Sequence, residues 1–580
     1  MASVLIALAG TEVPYDLIDR IRKSLMGNLI NDRDGFLRSQ KRYLKTVRKH
    51  LLSGQGEFPF HRQFAWVPIV YDRILLFCEK HSTTWISRVS TLTSTRKVGT
   101  LSANGSEKDV LEFLEGISTP RVEDGNHLRK DLLEKLGEKL NLAAHRCPAD
   151  TSASILCTHS GATNYPRSRK SGIASGKAAY VRDCANKEVT LIDLETGLNT
   201  GKPARRVADK VLHDALHRYQ SDPDSFQKLE TICIPEVGGK SRIPTFGIAE
   251  RAQMAQPISK ILLEVLKTLP ESHDGLQKTR QGWELLKQLR NADFGAGALP
   301  QYGEKHLFCS DLKSSTDWIG RTPARELLET AFRAVGVPKW YGRVCIDLTL
   351  NDSEISYRKR DGETITVTRT TGVLMGDPLA KTTLTLLALY AFLYIEDKEV
   401  IDLVRSKATK SAKPCDADRN LVNQGLRRNT GDDLLVVSAN AHAGDYLVEA
   451  ITSSGAKISD LDTFEGSPWG HYTEFCIRLP QNCWEFYDIQ SHSFKGYPCF
   501  GDYTRPKALL RTTNNPGPGV NARYGRTALM GAEGAYQRLS KKDYESYRLA
   551  TVIQDIVLGL TAEAYIPTQF GGGGKFPPEG

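Results

Sequence analysis

The sequence predicts a mixed α/β (α+β) fold in which strands end on acidic corners and helices back them, and three segments carry that prediction. His306-Leu307-Phe308-Cys309-Ser310 is short, mostly apolar or small, and runs straight into Asp311, as a buried strand does. Asn429-Thr430-Gly431-Asp432-Asp433 followed by Leu434-Leu435-Val436-Val437 reads as a strand leaving a tight turn. Asp377-Pro378 opens a run with Leu384, Leu387, Ala388, Ala391, Phe392 and Ile395, apolar over most of a helical surface and expected to lie behind a sheet. The hairpin tip bearing Asp432 and Asp433 is expected to approach the end of the Asp311 strand in a common sheet.

The remaining elements follow along the chain. Between residues 20 and 49 basic side chains are dense, among them Arg38, Lys41, Arg42, Lys45, Arg48 and Lys49. Leu37, Leu44, Val47 and Leu51 form an apolar stripe there, so a docked helix with a basic outer face is expected. A solvated charged face accounts for those cations more simply than contact with RNA. Glu236-Val237-Gly238-Gly239-Lys240-Ser241-Arg242, with Arg251 beyond it, places cations near glycines, where a triphosphate can be neutralised while backbone amides approach it closely. This is not a P-loop, and Gly172 to Lys177, the nearest approach to one, has three residues between its glycines and Ala178 after the lysine.

After Asp311, Thr322 has the chemistry of an N-cap and Pro323 that of a first helical position. Leu327, Leu328, Ala331, Phe332 and Val335 then give an apolar helical face closed by Gly336. Tyr357 to Val367 reads as a hairpin around Asp361-Gly362. In Thr371-Gly372-Val373-Leu374-Met375-Gly376-Asp377-Pro378, two glycines four apart suggest a pliable loop, and Asp377 with Pro378 suits a helix start. Arg405 to Arg428 is basic and polar, and reads as a mobile loop ahead of the Gly431-Asp432-Asp433 hairpin.

Acidic corners of this kind suit hard cations. Phosphoryl transfer by two Mg²⁺ ions needs carboxylates that hold them roughly 3.5–4 Å apart. Mg²⁺ takes only one or two such oxygens from protein, filling its shell with waters and substrate phosphates. Asp, Asn and Gly also dominate ordinary turns, so either acidic cluster alone says little. Their order, with a basic glycine-rich segment before them, says more.

That ordered set, Lys240-Ser241-Arg242, Asp311 to Asp317, Gly372 to Pro378, Gly431-Asp432-Asp433 and Lys457, resembles motifs F, A, B, C and D of viral RNA-dependent RNA polymerases. Asp311-Leu312-Lys313-Ser314-Ser315-Thr316-Asp317 and Gly372-Val373-Leu374-Met375-Gly376-Asp377-Pro378 are similar to the narnavirus and botourmiavirus (ourmia-like) group, the latter most closely. The ending Ile566-Pro567-Thr568-Gln569-Phe570 into Gly571 to Gly574 resembles that group too.

The resemblance implies a right-hand polymerase with an antiparallel palm sheet flanked by helices. Residues 1–205 would contribute to the fingers, 206–304 would be fingers with the basic motif, 305–487 a palm with an inserted finger segment, and 488–580 the thumb. It implies Mg²⁺, with Mn²⁺ as a substitute, on Asp311, Asp432 and Asp433. Lys240, Arg242 and Arg251 would bind the triphosphate, Asp317 would favour the ribose 2′-hydroxyl, and Gly372 and Gly376 would lie along the nucleotide. Lys457 would protonate pyrophosphate, although it reads equally as a surface lysine. Partners would be a single-stranded RNA template, an RNA product and NTPs, in the host cytoplasm. Relatives often carry Thr where this chain has Ala380, which leaves Thr382 as the nearest hydroxyl.

Two other classes share these residues. A reverse transcriptase would prefer dNTPs, against which Asp317 argues. A catalytically inactive RNA-binding protein of a viral ribonucleoprotein would have no physical reason to keep clustered acids.

Length and charge agree with a large nucleic-acid enzyme. The chain has 580 residues, enough for several lobes, and a formal charge of +9, which suits a polyanionic partner. Its eleven cysteines form no Cys-x₂-Cys pair. His145 and Cys147 with Cys157 and His159 lack the usual zinc spacings, so buried free thiols in a reducing compartment are expected. Ala2 to Ala9 is too short for a signal peptide and Leu384 to Ile395 too short to span a bilayer, so no membrane segment is expected.

Overall fold

A computed structural model describes residues 15–276, 306–408 and 426–501, apart from short breaks within each. The expected thumb helix near 543–560, the Gly571 to Gly574 ending, Ala2 to Ala9, His159 and residues 409–425 of the basic loop lie outside the described residues.

The helices that position the site are α1 (Arg33–Ser53), α2 (Thr83–Ser94), α3 (Ala103–Ser118), α4 (Lys130–Ala144), α5 (Ala249–Lys267), α6 (Arg321–Val335), α7 (Ala380–Ala408) and α8 (Ala443–Ser453). The strands are β1 (Lys228–Thr231), β2 (Ile234–Glu236), β3 (Lys240–Arg242), β4 (Thr245–Phe246), β5 (His306–Asp311), β6 (Ser353–Arg358), β7 (Thr364–Arg369), β8 (Leu426–Thr430), β9 (Asp433–Ser438), β10 (Phe464–Glu465) and β11 (Trp469–Tyr472). The result is a mixed α/β fold with several small sheets.

The central sheet is antiparallel, in the order β8-β9-β5-β10. Its register sets Asp433 against Asp311, Leu435 against Cys309 and Val436 against Phe308. Successive side chains of a strand point to opposite faces. Phe308, Leu434 and Val436 accordingly enter a core with Leu327, Ala331, Leu387, Ala391 and Leu447, from α6, α7 and α8. Leu307, Cys309, Leu435 and Val437 enter a second core with Leu44, Val47 and Leu51 of α1, Ile86 of α2 and Trp469 of β11. Both faces are covered, which explains the unbroken apolar run after Asp433. The expected apolar helix does lie behind the sheet, and the apolar stripe of α1 is buried on the other side.

A second sheet, ordered β4-β1-β6-β7, joins segments from either side of β5 in the chain. β1 and β6 run parallel, and β6 turns into β7 through Asp361-Gly362, with Gly362 at φ 93°. The hairpin expected there forms, and pairs with the region that carries β2 and β3.

Two local expectations shift. α6 begins at Arg321 with Gly320 as its extended N-cap, so Thr322 is already inside the helix and caps nothing. Gly336 closes it in the left-handed region at φ 74°, as its lack of a Cβ allows. The basic run ahead of β8 is not loop at its far end. Arg427 is buried in β8, with its guanidinium 3.0 Å from Glu396 and 2.7 Å from Glu399 of α7.

Two-sided burial of β9 has a measurable consequence. Leu434→Ala and Leu435→Ala remove side chains with no exposed surface from opposite faces, and each is expected to cost roughly 2–5 kcal/mol in urea unfolding. A cost below about 1 kcal/mol for Leu435→Ala would mean that the α1 face of the sheet is open.

Candidate active site

Asp311 ends β5 and Asp433 begins β9, so the register brings their backbones directly opposite each other. Asp432 occupies the turn after Gly431, which takes φ 65°, and its carbonyl accepts the Leu312 amide at 3.1 Å. Alternation puts Asp311 and Asp433 on the same side of the sheet as Cys309 and Leu435, the side that α1 covers.

Burial, then the like charges of Asp432 and Asp462, push the Asp311 carboxyl up to about 7, against the opposing pull of Lys45 and Lys240. Asp317, at the end of the corner, is pushed up to about 6 by burial, although the Thr316 hydroxyl donates to it at 3.2 Å and Arg121 and Lys240 favour its charge. Burial alone would raise Asp462 as well, but Arg48 and Lys45 outweigh it and bring that carboxyl down to about 2. Asp462 is ion-paired with both cations and accepts the Ser459 hydroxyl at 3.0 Å.

The three expected metal ligands do not converge as a triad. Among the described residues no three His, Cys, Asp or Glu side chains form a metal-holding group. Asp432 and Asp433 are consecutive, one in the turn and one in the ladder, so the backbone aims them differently. The charge of Asp432 bears on Asp311 and, after burial, opposes its ionisation. That donor set fits Mg²⁺, which needs only one or two protein carboxylates and would relieve the repulsion.

The basic segment forms a hairpin, β2 with β3, turning through Gly238 and Gly239 at φ 99° and 57°. Lys240 and Arg242 alternate past Ser241 and so share one face. Arg242 is paired at 2.6 Å with Glu236 on the same hairpin. Lys240 is exposed, and its charge reaches both Asp311 and Asp317.

Arg251 corrects an expectation. It is buried on α5, donating at 2.6 Å to the Phe226 carbonyl and to the Leu348 carbonyl, with its charge facing Asp377 at 3.4 Å. A guanidinium so enclosed ties the fold together and does not reach a triphosphate.

The Gly372 to Pro378 loop is laced down rather than pliable. A Cβ on Gly372 would lie 2.9 Å from the Asp317 carbonyl oxygen, and one on Gly376 would lie 2.2 Å from that of Thr245. Val373 donates to the Thr316 carbonyl at 2.8 Å, and Thr245 to the Met375 carbonyl at 2.8 Å. Both glycines serve close backbone approach, joining the Asp317 corner to β4. Asp377 caps from just ahead of α7, accepting the Leu379 amide at 3.0 Å and the Thr349 hydroxyl at 3.2 Å. Thr382 is fully buried and its Oγ1 has no partner, so it offers no hydroxyl to a bound ribose.

Lys457 lies beside the corner, its carbonyl accepting the Lys313 amide at 2.8 Å. Its ammonium stands 3.3 Å from the Trp318 ring centroid, and the Arg121 guanidinium stands 3.5 Å from the same centroid. Two groups that close to one centroid must take opposite faces of the indole. Arg121 also donates at 3.0 Å to the Asp317 carbonyl.

Lys41, Lys45, Arg48, Asp462, Arg121 and Trp318 were not marked as site residues by any motif. The basic helix was visible, but its partner Asp462 lies more than 400 residues away in the chain. The eight cysteines whose side chains are described are free thiols, five of them buried, Cys147 and Cys233 half-buried and Cys157 exposed, and no described helix is long and apolar enough to cross a membrane.

No family model and no curated protein matches this chain. Among solved structures, apo telomerase from Candida tropicalis, truncated from its C-terminal domain, is similar over 44% of this chain at 14% identity, with a TM-score of 0.32. This chain spans 53% of that one. At that TM-score the likeness carries no argument. What the fold and the site define is a mixed α/β protein with a paired-carboxylate corner faced by lysines.

A carboxyl raised from its ordinary 3.8 to about 7 holds its proton more tightly folded than unfolded. Folding is therefore favoured as pH falls through that window and penalised above it. In EDTA, Asp311→Asn is expected to stabilise the protein at pH 8 by on the order of 1–3 kcal/mol, since a tenfold change in proton affinity is worth about 1.4 kcal/mol. The gain should vanish near pH 4 in urea unfolding, and an equal gain at both pH values would show that charge is not its cause.

Proposed function

We propose that this chain is an RNA-dependent RNA polymerase of a virus in the narnavirus/botourmiavirus (ourmia-like) group, copying a single-stranded RNA template in the host cytoplasm. The observation that carries the reading is the β5–β9 register, which joins Asp311 to the Gly431-Asp432-Asp433 hairpin with Lys240 in electrostatic reach. In this reading residues 1–205 and 206–304 serve the fingers, 305–487 the palm, and 488–580 the thumb.

The reaction joins the product's 3′-hydroxyl to the α-phosphate of an NTP and releases pyrophosphate. Asp311 and Asp432 would hold Mg²⁺, or Mn²⁺ in its place, with Asp433 in support; a metal bound there would supply stabilisation of charge on the attacking and leaving oxygens. Lys240 and Arg242 neutralise the triphosphate, Arg242 by exchanging Glu236 for phosphate oxygens. Asp317, largely ionised at pH 7 with its carboxyl at about 6, accepts a hydrogen bond from the ribose 2′-hydroxyl, the group that separates RNA from DNA substrates. Lys457 supplies a proton to the departing pyrophosphate after its ammonium leaves the Trp318 face.

The test is incorporation of labelled NTPs and of dNTPs on a single-stranded RNA template, with Mg²⁺ and with EDTA. NTP incorporation that needs Mg²⁺ is expected, falling at least about 10²–10³-fold in Asp432→Asn while RNA binding persists. Full activity in that variant overturns the reading. Preference for dNTPs replaces it with a reverse transcriptase, and RNA binding without incorporation replaces it with a binding protein.

A further inference from the structure

On α1, Leu37, Lys41 and Lys45 are spaced four apart and share one face of the helix. Tertiary contacts fix both ends of that row. At one end the β2–β3 turn rests on Leu37: a Cβ on Gly239 would lie 3.4 Å from the Leu37 Cβ. The Gly238 and Gly239 amides also donate to the Gly99 carbonyl, at 2.6 and 3.2 Å. At the other end Lys45 is ion-paired with Asp462, whose turn is bonded to the catalytic strand through the Ser459 amide and the Asp311 carbonyl at 2.8 Å. Lys41 therefore lies between the hairpin that bears Lys240 and the strand end that bears Asp311.

Among the described residues, the two acids whose charge reaches Lys41 are already engaged. Asp109 is taken by Arg38 at 2.6 Å, and Asp462 by Lys45 and Arg48. Lys41 is half-buried and, among the described residues, makes neither hydrogen bond nor ion pair; the exposed Lys240 ammonium likewise makes neither. Burial first, then the charges of Lys45 and Lys240, hold the Lys41 ammonium down to about 8. A partly desolvated cation with other cations nearby and no anion to answer it is unfavourable, and a multiply charged anion among them removes the penalty.

We propose that Lys41, on α1, joins Lys240 in a site for a polyphosphate anion, the tail of the incoming nucleotide or the pyrophosphate it releases. The nucleotide's identity rests on the polymerase reading, whereas polyphosphate binding does not. Arg242 sits at the same hairpin as an outer contact, and Lys45 stays with Asp462, holding the helix in place.

Calorimetric titration of the full chain with inorganic tripolyphosphate, in EDTA at pH 7, tests the site. Lys41→Ala is expected to weaken binding about tenfold or more, Lys41→Arg to retain most of it, and Lys202→Ala, on an exposed strand of a separate two-stranded sheet, to change nothing. Lys41→Gln keeps much of the side-chain stem should the alanine variant fail to fold. A short oligoribonucleotide titrated in parallel is expected to lose less than about twofold. Unchanged tripolyphosphate binding in Lys41→Ala and Lys41→Gln overturns the proposal, as does no binding by the parent protein. A loss confined to the oligoribonucleotide also overturns it, assigning Lys41 to RNA phosphodiesters instead. In NTP incorporation the KM should rise with kcat kept. Incorporation with an unchanged KM fails the site alone. Tripolyphosphate binding through Lys41 without any incorporation fails the polymerase reading alone.

Discussion

Pairing of Val436 with Phe308 and of Leu435 with Cys309 holds β9 to β5 in a register that cannot slip by one residue. A one-residue shift would turn each strand's side chains over and drive them into the wrong core. Because both faces of the sheet are buried, the constraint acts on every residue of the ladder. The corner inherits it: Asp433 must stand opposite Asp311, and Asp432 must sit in the turn beyond. Hydrophobic burial, which is non-directional, thus places the charges through the directional hydrogen bonds of the strands.

The charges so placed are out of balance at close range. Asp311 feels Asp432 and Asp462 in a partly dry setting, and the protein answers with cations from elements remote in sequence. Lys45 and Arg48 neutralise Asp462 and in doing so seat α1 against the sheet. Lys41 and Lys240 remain unanswered on the other side of the corner. Surplus negative charge beside surplus positive charge, with neither pair closed by the other, is the electrostatic form of a site for a cation with a polyphosphate.

Around the corner the backbone is held with little slack. Gly372 and Gly376 let three segments, the Asp317 corner, the loop before α7 and β4, come within direct hydrogen-bond reach. Arg251 braces the same region by bonding carbonyls of two other segments. Residues that look like ligand contacts by type act here as supports, and the distinction lies in what surrounds them.

Much of this was legible in the chain alone. A short apolar run, helical apolar patterns, the Asp-Gly turn and the Gly336 stop report short-range physics, and they located β5, the β6–β7 hairpin, α6 and α7. The pairing of Asp311 with the Gly431-Asp432-Asp433 turn followed from motif order. What only the tertiary structure decided is which charges meet. That Lys45 and Arg48 serve Asp462, that Arg251 is walled in, and that Lys41 lies within electrostatic reach of Lys240 are long-range facts. No local periodicity encodes them, because charge and burial at a point depend on every segment folded onto it.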